Sequence, residues 1–353
     1  MVYVRIPAPP STDVPDLLNW ADQEFNAIEK AQYEQTVVDL RQVSREPVRP
    51  REGMIIVADG TNWNPGSGEG PYIYQNGVWR LLLAGSGGRP ILTAAQDFFV
   101  DRALGNDTTG DGSSALPWLT IPKAVAVAQS YDNAGFAITI KVRNGTYPEA
   151  ISLLSFVGTG AMSIVGVSTT WPTSPGVIIT GGITSTGPNA RWNVSNVKLN
   201  AGPGVNNMFL QSMSEIRYHN IEWGASEINI LTNFGAQAIG VEGQNDTLTG
   251  SCTVHWAARK NSLIHDNGRV LTISGGLSCV IFAQVLDNST VICNANLLVG
   301  PRFNGAGSPG GGGDMTGRKF SIVGLGSTIS TNGAGPAFLP GNAAGDAPAG
   351  TYT

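Results

Sequence analysis

The 353-residue chain is short of charge: Asp, Glu, Lys and Arg together make up 13% of it, and the net charge is −5. A protein that grips nucleic acid needs a basic face for the phosphates, and no basic stripe is present, so nucleic acid is not an expected partner. Long apolar runs are also missing. No segment approaches the roughly 18 residues of a membrane-spanning helix, and the opening MVYVRIPAPPSTDV has neither the apolar core nor the cleavage site of a secretory signal. Membrane insertion is not expected, and synthesis is expected in a reducing cytoplasm. Cysteine is scarce: Cys252, Cys279 and Cys293 show no CxxC or metal-ligand spacing and read as small buried hydrophobes, with no disulfide framework. The chain also carries no nucleotide P-loop, HExxH or GxSxG, so neither a metal nor a cofactor is expected.

Glycine and proline are abundant, at 46 and 21 residues. Between them, from Ile138 to Asn332, lie short runs rich in Val and Ile: ITIKV, ISLLSF, MSIVGV, WNVSNVKL, IRYHNIEW, STVICN and KFSIVGLG. Apolar runs of four to eight residues bounded by turn formers predict buried strands of an all-β domain. Their spacing selects the architecture. Asn261-Ser262-Leu263-Ile264 returns as Asn288-Ser289-Thr290-Val291, 27 residues on (288 − 261), and Ser195-Asn196-Val197 returns as His219-Asn220-Ile221, 24 residues on (219 − 195). A third copy, Gly326-Ser327-Thr328-Ile329, follows Asn288 after a glycine-rich loop that starts at Gly300. Such spacing is that of stacked coils, in which equivalent side chains form ladders and Asn bonds its own copies at the turns; the expected fold is mainly β, a parallel β-helix, with a sandwich or propeller, which would not keep ladder positions in step, as the alternative.

Five segments are expected. Residues 1–50 hold a proline-rich arm and a helix over Asp13–Ser44, whose stripe of Leu17, Leu18, Ala21, Phe25 and Ile28 becomes partly polar at Gln32 and Gln35, with Val38 and Leu40 nearby. That stripe suits a multi-stranded bundle, or a helix packed on its own domain. Residues 51–84 form a small β module with an Asn76-Gly77 hairpin turn and Trp63, Tyr72, Tyr74 and Trp79 as its apolar mass, and 85–97 form a linker. The β-helix runs over 98–335 behind a capping helix at 120–131 with Thr120 as N-cap and Pro122 in its first turn; 336–353 is a tail. Asn106, Asp107 and Asp111 in the loop before that helix offer oxygens, but without EF-hand spacing they predict no calcium site.

Two families of surface chemistry are open. Glycan cleavage needs two carboxyl groups, and either Glu222 with Glu242 or Asp266 with Asp287 could face one another on neighbouring coils. Proton abstraction points to the polar stretch His255, Arg259, Lys260, His265 and Asp266. For glycan binding without cleavage, Trp223 and Trp256 are the candidates for stacking, with His255 and Arg259 beside them; burial inside the coil is the alternative for both tryptophans.

The run VDRALGNDTTGDGSSALPWLTIPKAVAVAQ, followed by ITIKVRNGTYPE, resembles the entry to right-handed parallel β-helix domains of the pectate-lyase-like superfamily found in bacteriophage tail spikes and tail fibres. GMIIVADGTNWNPGSGEGPYIYQNGVWRLL resembles a short element near the front of tail proteins, and GPAFLPGNAAGDAPAGTYT resembles their C-terminal tails. The resemblance implies a virion protein: a homotrimer held to other tail or portal-region proteins by an N-terminal anchor within residues 1–50. Its β-helix would reach a host surface polysaccharide through the distal coils and the 300–319 loop. A polysaccharide depolymerase, whether hydrolase or lyase, and a capsid or neck decoration fibre are the rival expectations.

Overall fold

A computed structural model describes residues 7, 13–36, 42–66, 68–82, 89–167, 176–266, 269–293, 303–304 and 315–353. The chain forms two compact units, Met1–Gly88 and Arg89–Thr353.

In the first unit a helix runs over Val14–Thr36, with Asp16 in its first turn, where a negative charge complements the helix dipole. It ends earlier than the expected Ser44, and Val38 and Leu40 lie outside the described residues. Leu17, Leu18 and Phe25 are exposed along it. The rest of the unit is a four-stranded sheet: Gln42–Val43, Ile55–Ala58, Gly70–Gln75 and Val78–Leu81. The first two strands pair in parallel and the others are antiparallel. The hairpin turns at Asn76 and Gly77, both at positive φ (52° and 79°), as a tight two-residue turn requires. Ile56, Ala58 and Tyr72 form the core, and Trp79 meets both Trp63 and Tyr74 edge-on, with ring centroids 5.4 and 5.1 Å away. Tyr72 is therefore interior, while Trp63 and Trp79 pack half-buried against that core.

The second unit is a β-helix-like stack of parallel strands. Its chain passes repeatedly through three sheet regions in the same order, as in Arg191–Leu199, whose two halves lie on the first and second regions, followed by Met208–Gln211 on the third. Every strand pairing in the stack is parallel, and the predicted repeats sit on matching rungs. Ser195 pairs with His219, Val197 with Ile221, Leu263 with Thr290, and Thr290 with Thr328. Coil length varies while the rungs stay in step. Ile138, Met162, Trp192, Ile216, Ala238, Ile264, Val291 and Ile329 are successive register partners, and all are buried. This row is the spine of the core.

The corners explain the asparagines. Asn196 and Asn220 turn the long strands at φ 58° and 51°, a left-handed conformation that Asn tolerates, and the Asn220 side-chain amide donates to Asn196 Oδ1 at 3.0 Å. At another corner two consecutive residues take positive φ on several coils: Lys260-Asn261 and Asp287-Asn288 among them. The serine that follows each pair, Ser262 and Ser289, is buried, and Ser289 Oγ accepts from the Ser262 N–H at 3.1 Å.

The helix Ile121–Ser130 covers the first coils, burying Ile121, Ala124, Val125 and Ala128, and Thr120 caps it by accepting from the Lys123 N–H at 3.4 Å. The loop before it is built on side chains that mimic turns. Asn106 Oδ1 accepts from Thr108 and Thr109, and Asp107 accepts from Leu119 and Thr120, so these oxygens are spent on backbone N–H groups. At the other end, 336–353 is more than a tail: Thr351–Tyr352 pairs in parallel with Thr328–Ile329 and adds a rung. The cysteines also depart from expectation. Cys252 and Cys279 are register partners on adjacent coils, with Cα atoms 4.8 Å apart, and are joined by a disulfide. Cys293 is the free, buried thiol, pushed up to about 12 by burial.

Candidate functional site

The residues singled out by sequence are dispersed. Trp223 and Trp256 lie inside the coils, each 1% exposed, so neither offers a face to a sugar. They belong to an aromatic column: Trp223 meets Tyr218 at 5.6 Å and His255 at 5.9 Å, and Trp256 meets Phe282 at 5.0 Å. His255 is interior too, its Nδ1 2.9 Å from the Asn229 amide nitrogen, and Asn229 in turn accepts from Asn207 at 2.7 Å. Arg259 is half-buried and donates to Gln284 at 2.8 Å, while the Lys260 ammonium sits over the Phe234 ring at 4.1 Å. His265 is half-buried, with Ile239 and Ile292 as its register partners. The polar stretch from His255 to Asp266 is therefore several environments rather than one site.

The acid pairs also separate. Glu222 has Lys198 and Thr247 as its rung neighbours, not Glu242; it accepts from Lys198 at 2.6 Å and from Thr249 at 2.8 Å. Glu242 is exposed in the turn after Gln237–Gly240. Asp287 is an exposed corner residue, whereas Asp266 is buried. Asp266 belongs to an interior cluster: Arg269, itself buried, pairs with Asp246 at 2.5 Å and Asp266 at 3.0 Å, and Tyr218 donates to Asp266 at 3.1 Å. Asp246 also accepts from the Ile221 N–H at 2.8 Å and the Trp223 indole N–H at 3.1 Å. Buried charges persist when they are paired and hydrogen-bonded, and these hold three coils together. Gly240 makes room for them, since a Cβ there would fall 2.2 Å from both Arg269 and Asp266.

A different place on the stack is open. A cleft of about 620 Å³ is lined by Phe156, the turn Val157–Ala161, and Arg191, Asn193, Glu215 and Arg217. Register builds the polar wall: Arg191 pairs with Glu215, and Asn193 with both Ser163 and Arg217. The cleft thus crosses three successive coils, a span of roughly 10 Å at about 4.8 Å per strand. Glu215 accepts from Arg217 Nε at 2.8 Å, and Asn193 donates to Ser163 at 3.2 Å. Arg191 is exposed and has no ion pair among the described residues. Phe156 packs edge-on against Trp192 at 6.1 Å.

The turn Val157–Ala161 is pinned by a buried side chain. Asn133, 1% exposed, donates to the Gly160 carbonyl at 2.9 Å and accepts from the Gly160 N–H at 3.0 Å. Gly160 fits because it has no side chain: a Cβ would meet the Phe136 carbonyl oxygen at 1.9 Å. These two bonds hold the turn in one conformation. Sequence reading missed this cleft, although the 24-residue repeat that relates Ser195 to His219 also relates Arg191 to Glu215 and Asn193 to Arg217. Set against known protein families, curated proteins and solved structures, the chain matches none.

Proposed function

We propose that the chain is a structural protein of a tailed-bacteriophage virion, a homotrimeric tail fibre or spike that attaches to a host surface polysaccharide. In this reading the second unit is a right-handed parallel β-helix, the hand that parallel crossovers nearly always take. Residues 1–50 hold the protein to neighbouring tail or portal-region proteins, and the exposed Leu17, Leu18 and Phe25 of the helix meet the same residues of two further copies. The single observation that carries the reading is the parallel stack with a cleft of about 620 Å³ lying across three of its coils, a span of roughly 10 Å at about 4.8 Å per strand.

Attachment is favoured over cleavage by the carboxylates. Glycoside hydrolysis uses two carboxyl groups roughly 5–9 Å apart. Among the described residues lining the cleft Glu215 is the one acid, and Arg217 holds it. The test is to incubate the purified protein with capsule or lipopolysaccharide of the host. Retention of the polymer on the protein with no new reducing ends and no unsaturated uronates is expected; release of fragments would establish a depolymerase instead.

A further inference from the structure

The charge in the cleft says more about the ligand than its shape does. Two guanidinium groups and one carboxylate line it. Glu215 engages Arg217 through Nε, which leaves the terminal nitrogens of that guanidinium unused by this bond, and Arg191 has no ion pair among the described residues. Arg191 and Arg217 flank Glu215 across one pair of adjacent coils, because Arg191 is the rung partner of Glu215 and Arg217 lies two residues further on. Unspent N–H donors on planar cations match the two oxygens of a carboxylate, a fit that neutral sugar hydroxyls do not reproduce. Asn193 adds an amide next to Arg217, and half-buried Phe156 gives the lining an apolar ring.

Resting on the attachment reading above, we infer that the cleft selects a carboxylate-bearing polysaccharide, with Arg191 and Arg217 contacting its acid groups. The rest of the lining supplies no further charge: Val157, Gly158, Thr159, Gly160 and Ala161 are all neutral, so the acids of the ligand would sit at Arg191 and Arg217. The overall negative charge of the chain makes the local excess of cation more telling, since long-range attraction does not favour a polyanion.

The experiment uses the full chain and three acidic polymers, polygalacturonate, hyaluronate and polysialate, each beside the same polymer with its carboxyl groups chemically reduced to alcohols. Binding is read by interferometry on immobilised polymer. At least one native polymer is expected to bind about tenfold or more tightly than its reduced form, and Arg191→Gln is expected to weaken that binding about tenfold, the worth of one charge-assisted contact. Arg191 is exposed, so an unchanged melting temperature in this variant separates lost contact from lost fold. Equal binding of native and reduced polymers, or no loss in Arg191→Gln, overturns the inference while leaving glycan attachment standing. Failure of all three acidic polymers, alongside retention of the host polymer in the previous test, also overturns it alone. Failure of the host polymer as well overturns both.

Discussion

Trp256 touches His255 and Phe282 and reaches toward Phe303, whose ring centroid is 6.4 Å away. Truncating it leaves a hole among rings from neighbouring coils, so Trp256→Ala is expected to destabilise the protein by about 3–5 kcal/mol in urea titration. The same variant should bind polymer unchanged wherever it is still folded, because the ring never reaches the surface. His219 gives the second expectation at this scale. Burial holds its imidazole below the usual range, Arg269 adds to the depression, and Asp246 opposes it. The unfolded chain therefore takes up this proton first as pH falls through about 6.5. Stability from this group is complete above that value and declines below it. Melting temperatures from pH 7.5 to 5.5 should fall more steeply in the natural protein than in His219→Gln. Residues of this kind were the least legible in sequence: a Trp between polar neighbours reads equally as a stacking platform or as core, and the bend that turns both His255 and Trp256 inward is set by the coil, not by local pattern.

Among elements, the coil is the natural unit, and its repeat was plain in the sequence because the corners demand left-handed backbone and Asn supplies it. The same 27-residue repeat that pairs Asn261 with Asn288 also separates Cys252 from Cys279. The disulfide was thus legible in principle; composition alone hid it, since three cysteines without a motif look like filler. Closing 27 residues in the unfolded chain contributes about 3.5 kcal/mol in the chain-entropy account. Reduction, or Cys279→Ser, is expected to lower the urea midpoint accordingly, and thiol titration of the denatured, unreduced protein should count one free cysteine, Cys293. The cleft was illegible for the opposite reason. Arg191, Glu215 and Arg217 carry no motif, and they become a wall only when strand register sets coil beside coil.

For the whole molecule, the helix Val14–Thr36 exposes large apolar side chains in its first half. Its exposed Leu17, Leu18 and Phe25 would cost little in a bundle and much in water, since each large apolar side chain gains roughly 1.5–3 kcal/mol on full burial. Sedimentation equilibrium is expected to return three times the chain mass, and Leu18→Glu with Phe25→Glu to shift it toward the monomer; a monomeric natural protein would refute the trimer. The mainly β stack of parallel strands was visible in the amino-acid pattern, because its spacing and turn chemistry are written along the chain. Which surface faces a ligand was not, because that depends on how far each loop rises above the strands.

Rungs stay aligned here even though some coils need 22 residues and others 38 between equivalent positions. Length is therefore absorbed outside the ladders, and what happens in a loop need not disturb the strands beneath it. Side chains carried on the rungs, such as Arg191 and Arg217, are thereby insulated from insertions elsewhere in a coil, so loops of the stack can lengthen or shorten without moving them.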